Sequence, residues 1–424
     1  MKTGTNVVSL IVIAALLGGA SIAWWIRSGM RAEYDRAMDA WVAAGLAPSL
    51  QDLRPAPLPA DENAATVYEQ AFAILGQLSV EERSTLGDPT GEYARYDPRY
   101  QGGADLNEDA HRAAAAALNR ATIEKLAPAL DLVKQAAAMP QCLWNNTMYD
   151  EGMDALMPWI AYGHLLSFAL RDRAAHRASE GRLDEAASDL ATAVMLANHI
   201  GSDPTPISQL VRWSIIEAVL ASMETLFRHA NHDVPEGPLA DLIRQLDLQP
   251  DLIRAIEANA LMGLSSINRP NVELIEANGI APNVTPALLV RLWWYRDLDR
   301  AYVLDANREL IEWLSAPAHN RAGEPIATET PEHAILGSHF VMESWQIQKL
   351  NLRLEQSRLL AVLAMELRAH RRAHGEYPDP ETWTTPLDPV TKAPLHYERT
   401  ETGFRLFAGR DIDPGHLRRM WEWE

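Results

Sequence analysis

Apolar positions crowd the start of the chain and then settle into a helical rhythm that persists almost to its end. Residues 7–26 carry no charge. At about 1.5 Å per residue such a helix reaches roughly 30 Å, the thickness of a bilayer core. The run reads as a membrane span or a signal peptide. Trp24 and Trp25 close it with rings that settle at membrane interfaces, which favours a retained anchor. Lys2, the apolar stretch Val7–Leu17 and the small-x-small triplet Ser21-Ile22-Ala23 fit a cleaved signal. Arg27, Arg31 and Arg36 follow the run while Lys2 and the terminal amine precede it, a count that favours a cytoplasmic body. The signal-like layout favours export, and a body outside the cytoplasm is expected.

Residues 30–44 continue as an amphipathic helical pattern ended by Gly45, and Pro48, Pro55, Pro57 and Pro59 make residues 46–60 a semi-stiff linker. From Asp61 the period predicts helices near 62–76, 107–138 with a bend at Pro128, 154–180, 183–200, 205–230, 238–247, 250–266, 286–314 and 334–374. Leu395–Thr400 and Phe404–Phe407 flank Glu401-Thr402-Gly403 as a β-hairpin. In the helix from Ala287, Leu288, Leu292, Tyr295, Leu298, Tyr302, Ala306, Leu310 and Trp313 make one apolar stripe, with Arg291, Arg300, Arg308 and Glu312 on a solvated back. Trp293 and Trp294 beside it read as packing residues. The expected fold is mainly α: a single transmembrane helix, a multi-helix body of solenoid or bundle type and a small C-terminal β-hairpin cap. Residues 1–27 form the anchor, 28–60 the juxtamembrane helix and linker, 61–374 the helical domain and 375–424 the cap.

Charge and cysteine content narrow the partners. With 57 acidic against 38 basic side chains the net charge is -19, so a phosphate-tracking groove would work against the overall field, and no nucleic acid partner is expected. The single Cys142 cannot close an intramolecular disulfide or furnish a cysteine-based zinc or iron–sulfur site.

Four clusters carry the residue types of chemistry. His370 and His374 lie four apart on a helix with Glu376 beyond, a spacing that can place two imidazoles on one metal. His229, His232 and Asp233 repeat that logic at another helix end. Asp388, Asp411 and Asp413 are the carboxylates a calcium loop would use. Glu257, Glu273 and Glu276 are the nearest thing to the paired carboxylates of an acid–base hydrolase. Each has a plainer reading, as a dipole-favoured helix end, an Asp-Pro turn or a solvated helix face. No Gly-x-Ser-x-Gly, phosphate loop, His-Glu-x-x-His or dinucleotide fingerprint occurs. No catalytic residue, metal site or cofactor is therefore assigned.

Residues 170–197 resemble one tetratricopeptide hairpin. Leu170 and Ala174 stand on the first helix, Gly181 closes it, and Leu183-Asp184-Glu185-Ala186 opens a second continued by Leu190, Ala193 and Leu196. Arg173 and Arg177 replace apolar residues of that pattern, and Arg177 is expected to be solvated. The run His374-Gly375-Glu376-Tyr377-Pro378, then Pro386-Leu387-Asp388-Pro389, Pro394, Tyr397 and Gly403 to Asp411 resembles the end of the major pseudopilins of type II secretion. That resemblance implies a small sheet packed on a long helix and a body outside the cytoplasm. The position where a prepilin carries Glu is Ser9 after Gly4. The whole chain is similar to a set of uncharacterised bacterial membrane-anchored helical proteins, through Asn63-Ala64-Ala65, Ile207–Val211 and this tail.

These readings make the chain a membrane-tethered helical scaffold or protein-interaction module of the bacterial envelope. It would be held in the inner membrane by residues 7–26, with other envelope proteins as partners and no catalysis. The alternatives are a helical hydrolase acting on an envelope polymer, or an accessory component of a secretion or pilus-like system.

Overall fold

The computed structural model describes residues 3–87, 108–229, 237–268, 286–316, 330–332, 334, 336–401, 403–408 and 420–423. In chain order the elements are α1 (Thr3–Ala43), α2 (Ala64–Leu75), α3 (Val80–Ser84), α4 (Glu108–Lys125), α5 (Ala127–Ala137), α6 (Met148–Glu151), α7 (Pro158–Ser179), α8 (Leu183–Gly201), α9 (Pro206–His229), α10 (Pro238–Gln245), α11 (Gln249–Asn268), α12 (Pro286–Ser315) and α13 (Gly337–His374), followed by β1 (His396–Arg399), β2 (Phe404–Phe407) and β3 (Met420–Trp423). The fold is mainly helical with a small antiparallel sheet near the C-terminus. The chain divides into two compact units: unit 1 holds Met1–Arg54, Thr147–Ala155 and Ile253–Gln346, and unit 2 holds the rest.

The start of the chain differs from expectation. The sequence suggests two helices, over 7–26 and 30–44, but α1 runs through both without a break. Gly29 lies inside it with open space around it, and one mid-helix glycine costs only about 1 kcal/mol relative to Ala. At its end Gly45 takes φ +83°, and Leu46 N–H reaches back to the Trp41 carbonyl, the left-handed termination only glycine adopts without strain. Among the described residues no helix is long and apolar enough to cross a membrane. The side chains of residues 1–15 lie outside the described ones. Leu16 to Ile26, the described part of the uncharged run, would reach only about half a bilayer core.

In unit 1 the second half of α1 packs along α12. Contacts pair Arg27 with Trp293, Tyr34 with Arg300 and Arg36 with Asp305, so the two helices run parallel. Tyr34, Ala37 and Trp41 are buried. The Trp41 indole donates to the Ala47 carbonyl at 2.8 Å, and the Ala47 N–H donates to the Glu257 carboxylate at 2.6 Å. Asp299 accepts the N–H groups of Leu336 and Gly337 at 3.0 and 2.9 Å, satisfying the first donors of α13.

In unit 2 the expected helix 107–138 is two helices, α4 and α5. Pro128 sits in the first turn of α5, where its missing N–H costs nothing. Asn63 caps α2 and binds both the carbonyl and the N–H of Leu143 at 2.8 Å, which fastens the 141–146 segment to that helix end. Helices α7 and α8 form a hairpin turned by Gly181 at φ +77°. Ala174, Ala186 and Ala193 are buried, as their small size suggests. Arg177, expected in solvent, is instead an internal partner. It reaches Asp189 at 2.6 Å while Arg173 grips the same carboxylate with two bonds at 3.0 and 2.6 Å, and Asp189 is 1% exposed. One carboxylate thus replaces an apolar contact with a fork of charge-assisted bonds.

The C-terminal hairpin forms with β1 and β2 in the register His396 with Phe407 and Arg399 with Phe404, and β3 pairs on β2. Gly375 at φ +82° ends α13. Tyr377, Leu395, Phe404 and Leu406 are buried, and the Tyr397 hydroxyl donates to the Pro378 carbonyl at 2.8 Å.

Asp189→Ala should cost about 3–5 kcal/mol, because it leaves the buried Arg173 with only the exposed Asp131 carboxylate at 3.9 Å. Ala186→Leu should cost about 1–3 kcal/mol by overpacking. Urea melts rank the two, and equal small effects would show that the hairpin is not held this way.

His199 makes stability pH-dependent. Burial pushes its pKa down to about 4, and its Nδ1 faces the Tyr68 hydroxyl at 2.9 Å. As pH falls below 6.5 the unfolded chain takes up a proton that folded His199 does not accept until about pH 4. Its contribution is therefore complete above about pH 6.5 and lost towards pH 4, by up to roughly 3 kcal/mol. Melts between pH 7 and 4 should show this decline, and His199→Gln should remove it.

Candidate functional site

Among the described residues, the members of the clusters nominated by sequence are engaged in local contacts. His370 and His374 stack with ring centroids 4.1 Å apart. Their Nδ1 atoms lie 3.1 and 3.0 Å from the carbonyls of Glu376 and His370, and the Glu376 carboxylate is bound by Arg399 at 3.0 Å. The pair closes a helix end onto its own turn. Asp388 is fully buried and accepts both contacts of the Gln356 amide at 2.9 Å, the Val390 N–H at 2.8 Å and the Thr391 hydroxyl at 2.9 Å. Its oxygens are spent on stapling the 388–393 turn to α13. Asp411 and Asp413 lie outside the described residues, as do His232, Asp233 and the side chain of His229.

Glu257 caps the turn after α1 through Ala47, and burial raises its pKa. Glu273 and Glu276 lie outside the described residues. Cys142 is half-buried, and burial pushes its thiol pKa up, which makes it a poor nucleophile. Among the described residues no group of three His, Cys, Asp or Glu is placed to hold a metal.

The arrangement that stands out is the level where α1 meets the start of α12. Leu16, Leu17 and Ile22 are exposed, and Gly18 and Gly19 have open space around them. Trp24 and Trp25 follow at 73% and 72% exposure. Trp293, expected in packing, is 56% exposed and lies against Arg27, whose guanidinium sits 4.4 Å over its ring and donates to its carbonyl at 3.3 Å. Trp294 lies 6.3 Å from Trp293. The uncharged run of α1 thus leads into exposed indoles and the Arg27 cation.

Sequence reasoning found Trp24 and Trp25 but placed α12 wrongly about its axis. The buried face carries Asp297, Arg300, Ala301, Leu304 and Asn307, and the expected stripe through Tyr295, Leu298 and Tyr302 is only half-buried. Arg300, assigned to the solvated back, is 8% exposed and stacks 3.6 Å over the Tyr34 ring. Counting aliphatic positions misses a face that buries polar residues. The available signal was the surplus of aromatic rings on α1 that could receive guanidinium groups.

No known protein family matches this chain, and neither a curated protein nor a solved structure is similar to it.

Proposed function

We propose that this protein is a membrane-tethered helical scaffold of the bacterial envelope, anchored in the inner membrane by residues 7–26, its body outside the cytoplasm and its partners other envelope proteins. The observation that carries the reading is the exposure of Leu16, Leu17 and Ile22 on α1 ahead of Trp24 and Trp25, with Arg27 stacked on the exposed Trp293. Exposed apolar surface of that kind needs a covering, and an uncharged run of twenty residues ended by indoles is suited to lipid. The tether differs from a flexible leash, because α1 continues as a helix into the core of unit 1. Of the three glutamates that would mark a hydrolase, Glu257 is engaged by the Ala47 N–H. The signal-like layout of residues 2–23 supports export.

Two measurements test this. The full chain should stay in the membrane pellet after carbonate extraction and keep its N-terminal segment by mass spectrometry. A mature chain starting at Trp24 would remove the anchor. A phosphatase fused at Glu424 should be active, and a silent phosphatase beside a bright fluorescent fusion would place the body in the cytoplasm.

A further inference from the structure

Unit 1 contains a cavity of about 210 Å³ whose wall includes Arg300 and Tyr34, with Gln51, Ser265 and Asn268 around it and Leu264 among its apolar lining. A space of that order admits a small organic acid.

The charge balance of Arg300 is incomplete. It is 8% exposed, and its Nε is buried with no hydrogen-bond partner among the described residues. Its carboxylate contact is Asp297, one turn back on the same helix, at a long 3.4 Å, and that oxygen is also 3.7 Å from Arg296. Two guanidinium groups therefore share one carboxylate. The other contact of Arg300 is the face of Tyr34, which supplies polarisation but no charge. Burial lowers the pKa of Arg300, in keeping with a cation short of counter-charge. The acid lining the cavity, Asp150, is held by Arg54 at 2.6 Å. A buried guanidinium lacking a full counter-charge is costly, and its planar fork matches a carboxylate.

We infer that this cavity binds a small organic carboxylate, with Arg300 as its counter-charge, Gln51, Ser265 and Asn268 orienting its polar end, and Leu264 and the Tyr34 ring receiving a short apolar body. The mixed lining of hydroxyl, amide, ring and leucine suits such a ligand better than a bare phosphate, which presents no apolar part.

The test uses the full chain in detergent micelles at constant ionic strength, with butyrate, benzoate and inorganic phosphate as probes and chloride as the control. Butyrate or benzoate should bind with Kd of about 1 mM or tighter by calorimetry and raise the melting temperature in step with concentration. Arg300→Gln should weaken that binding at least tenfold. Because Arg300→Gln also alters the helix seam, Asn268→Leu, which narrows the cavity without touching the cation, is the second variant. It should abolish binding while leaving the melting temperature of the free protein within a few degrees. Binding undiminished in both variants, no binding of either carboxylate to the parent, or a response to phosphate alone would each overturn the inference.

Discussion

The hydrogen-bond ladder of α1 is the constraint on which unit 1 depends. Past its first turn, the backbone N–H groups along it are satisfied four residues back, so the helix has no joint between its apolar beginning and the buried residues Tyr34, Ala37 and Trp41. At about 1.5 Å per residue its 41 residues form a rod of roughly 60 Å. Whatever environment holds residues 7–26 therefore fixes the axis of unit 1. The parallel course of α12 brings Trp293 to the level of Arg27, two residues past Trp25.

The acidic surplus of the chain is partly internal. Asp189 holds two arginines within a helix hairpin, Asp299 caps the start of α13, Asp388 gathers three donor groups and Glu257 caps Ala47. A buried carboxylate is tolerable only when its oxygens are matched by donors, and in each case they are. These groups fix turns and helix pairs. The same saturation leaves them little capacity to bind a metal or move a proton. Arg300 is the contrast, a buried charge whose partner is shared and whose neighbour is a cavity.

Much of the architecture was legible in the sequence. Gly45, Gly181 and Gly375 end or turn helices where their positive φ requires glycine, and the β-hairpin follows the Glu401 to Gly403 turn closely. The helical period located most helices because their faces are dominated by Leu, Ile, Val and Ala. It misread α12 because that helix buries Asp297, Arg300 and Asn307, and it merged α4 with α5 because Pro128 at a helix start looks in sequence like a kink. Arg177 was misplaced for a related reason. A charged residue on an amphipathic helix reads as solvated unless its counter-charge is known, and Asp189 lies on the next helix. The site-level readings were least legible, since whether His370, Asp388 or Glu257 is free to react depends on contacts from other elements that no local spacing encodes.

The central claim is that lipid covers residues 7–26 of α1, whose Leu16, Leu17 and Ile22 are exposed. Cysteine accessibility tests it directly. In a Cys142→Ser background, Leu17→Cys and Ile22→Cys should resist a membrane-impermeant maleimide in intact membranes and react once detergent is added. Val42→Cys, exposed near the far end of the same helix, should react in both conditions when the reagent reaches the side of the membrane that holds the body. Leu17→Cys reacting in membranes as fast as Val42→Cys would contradict the account, because residue 17 would then be in water.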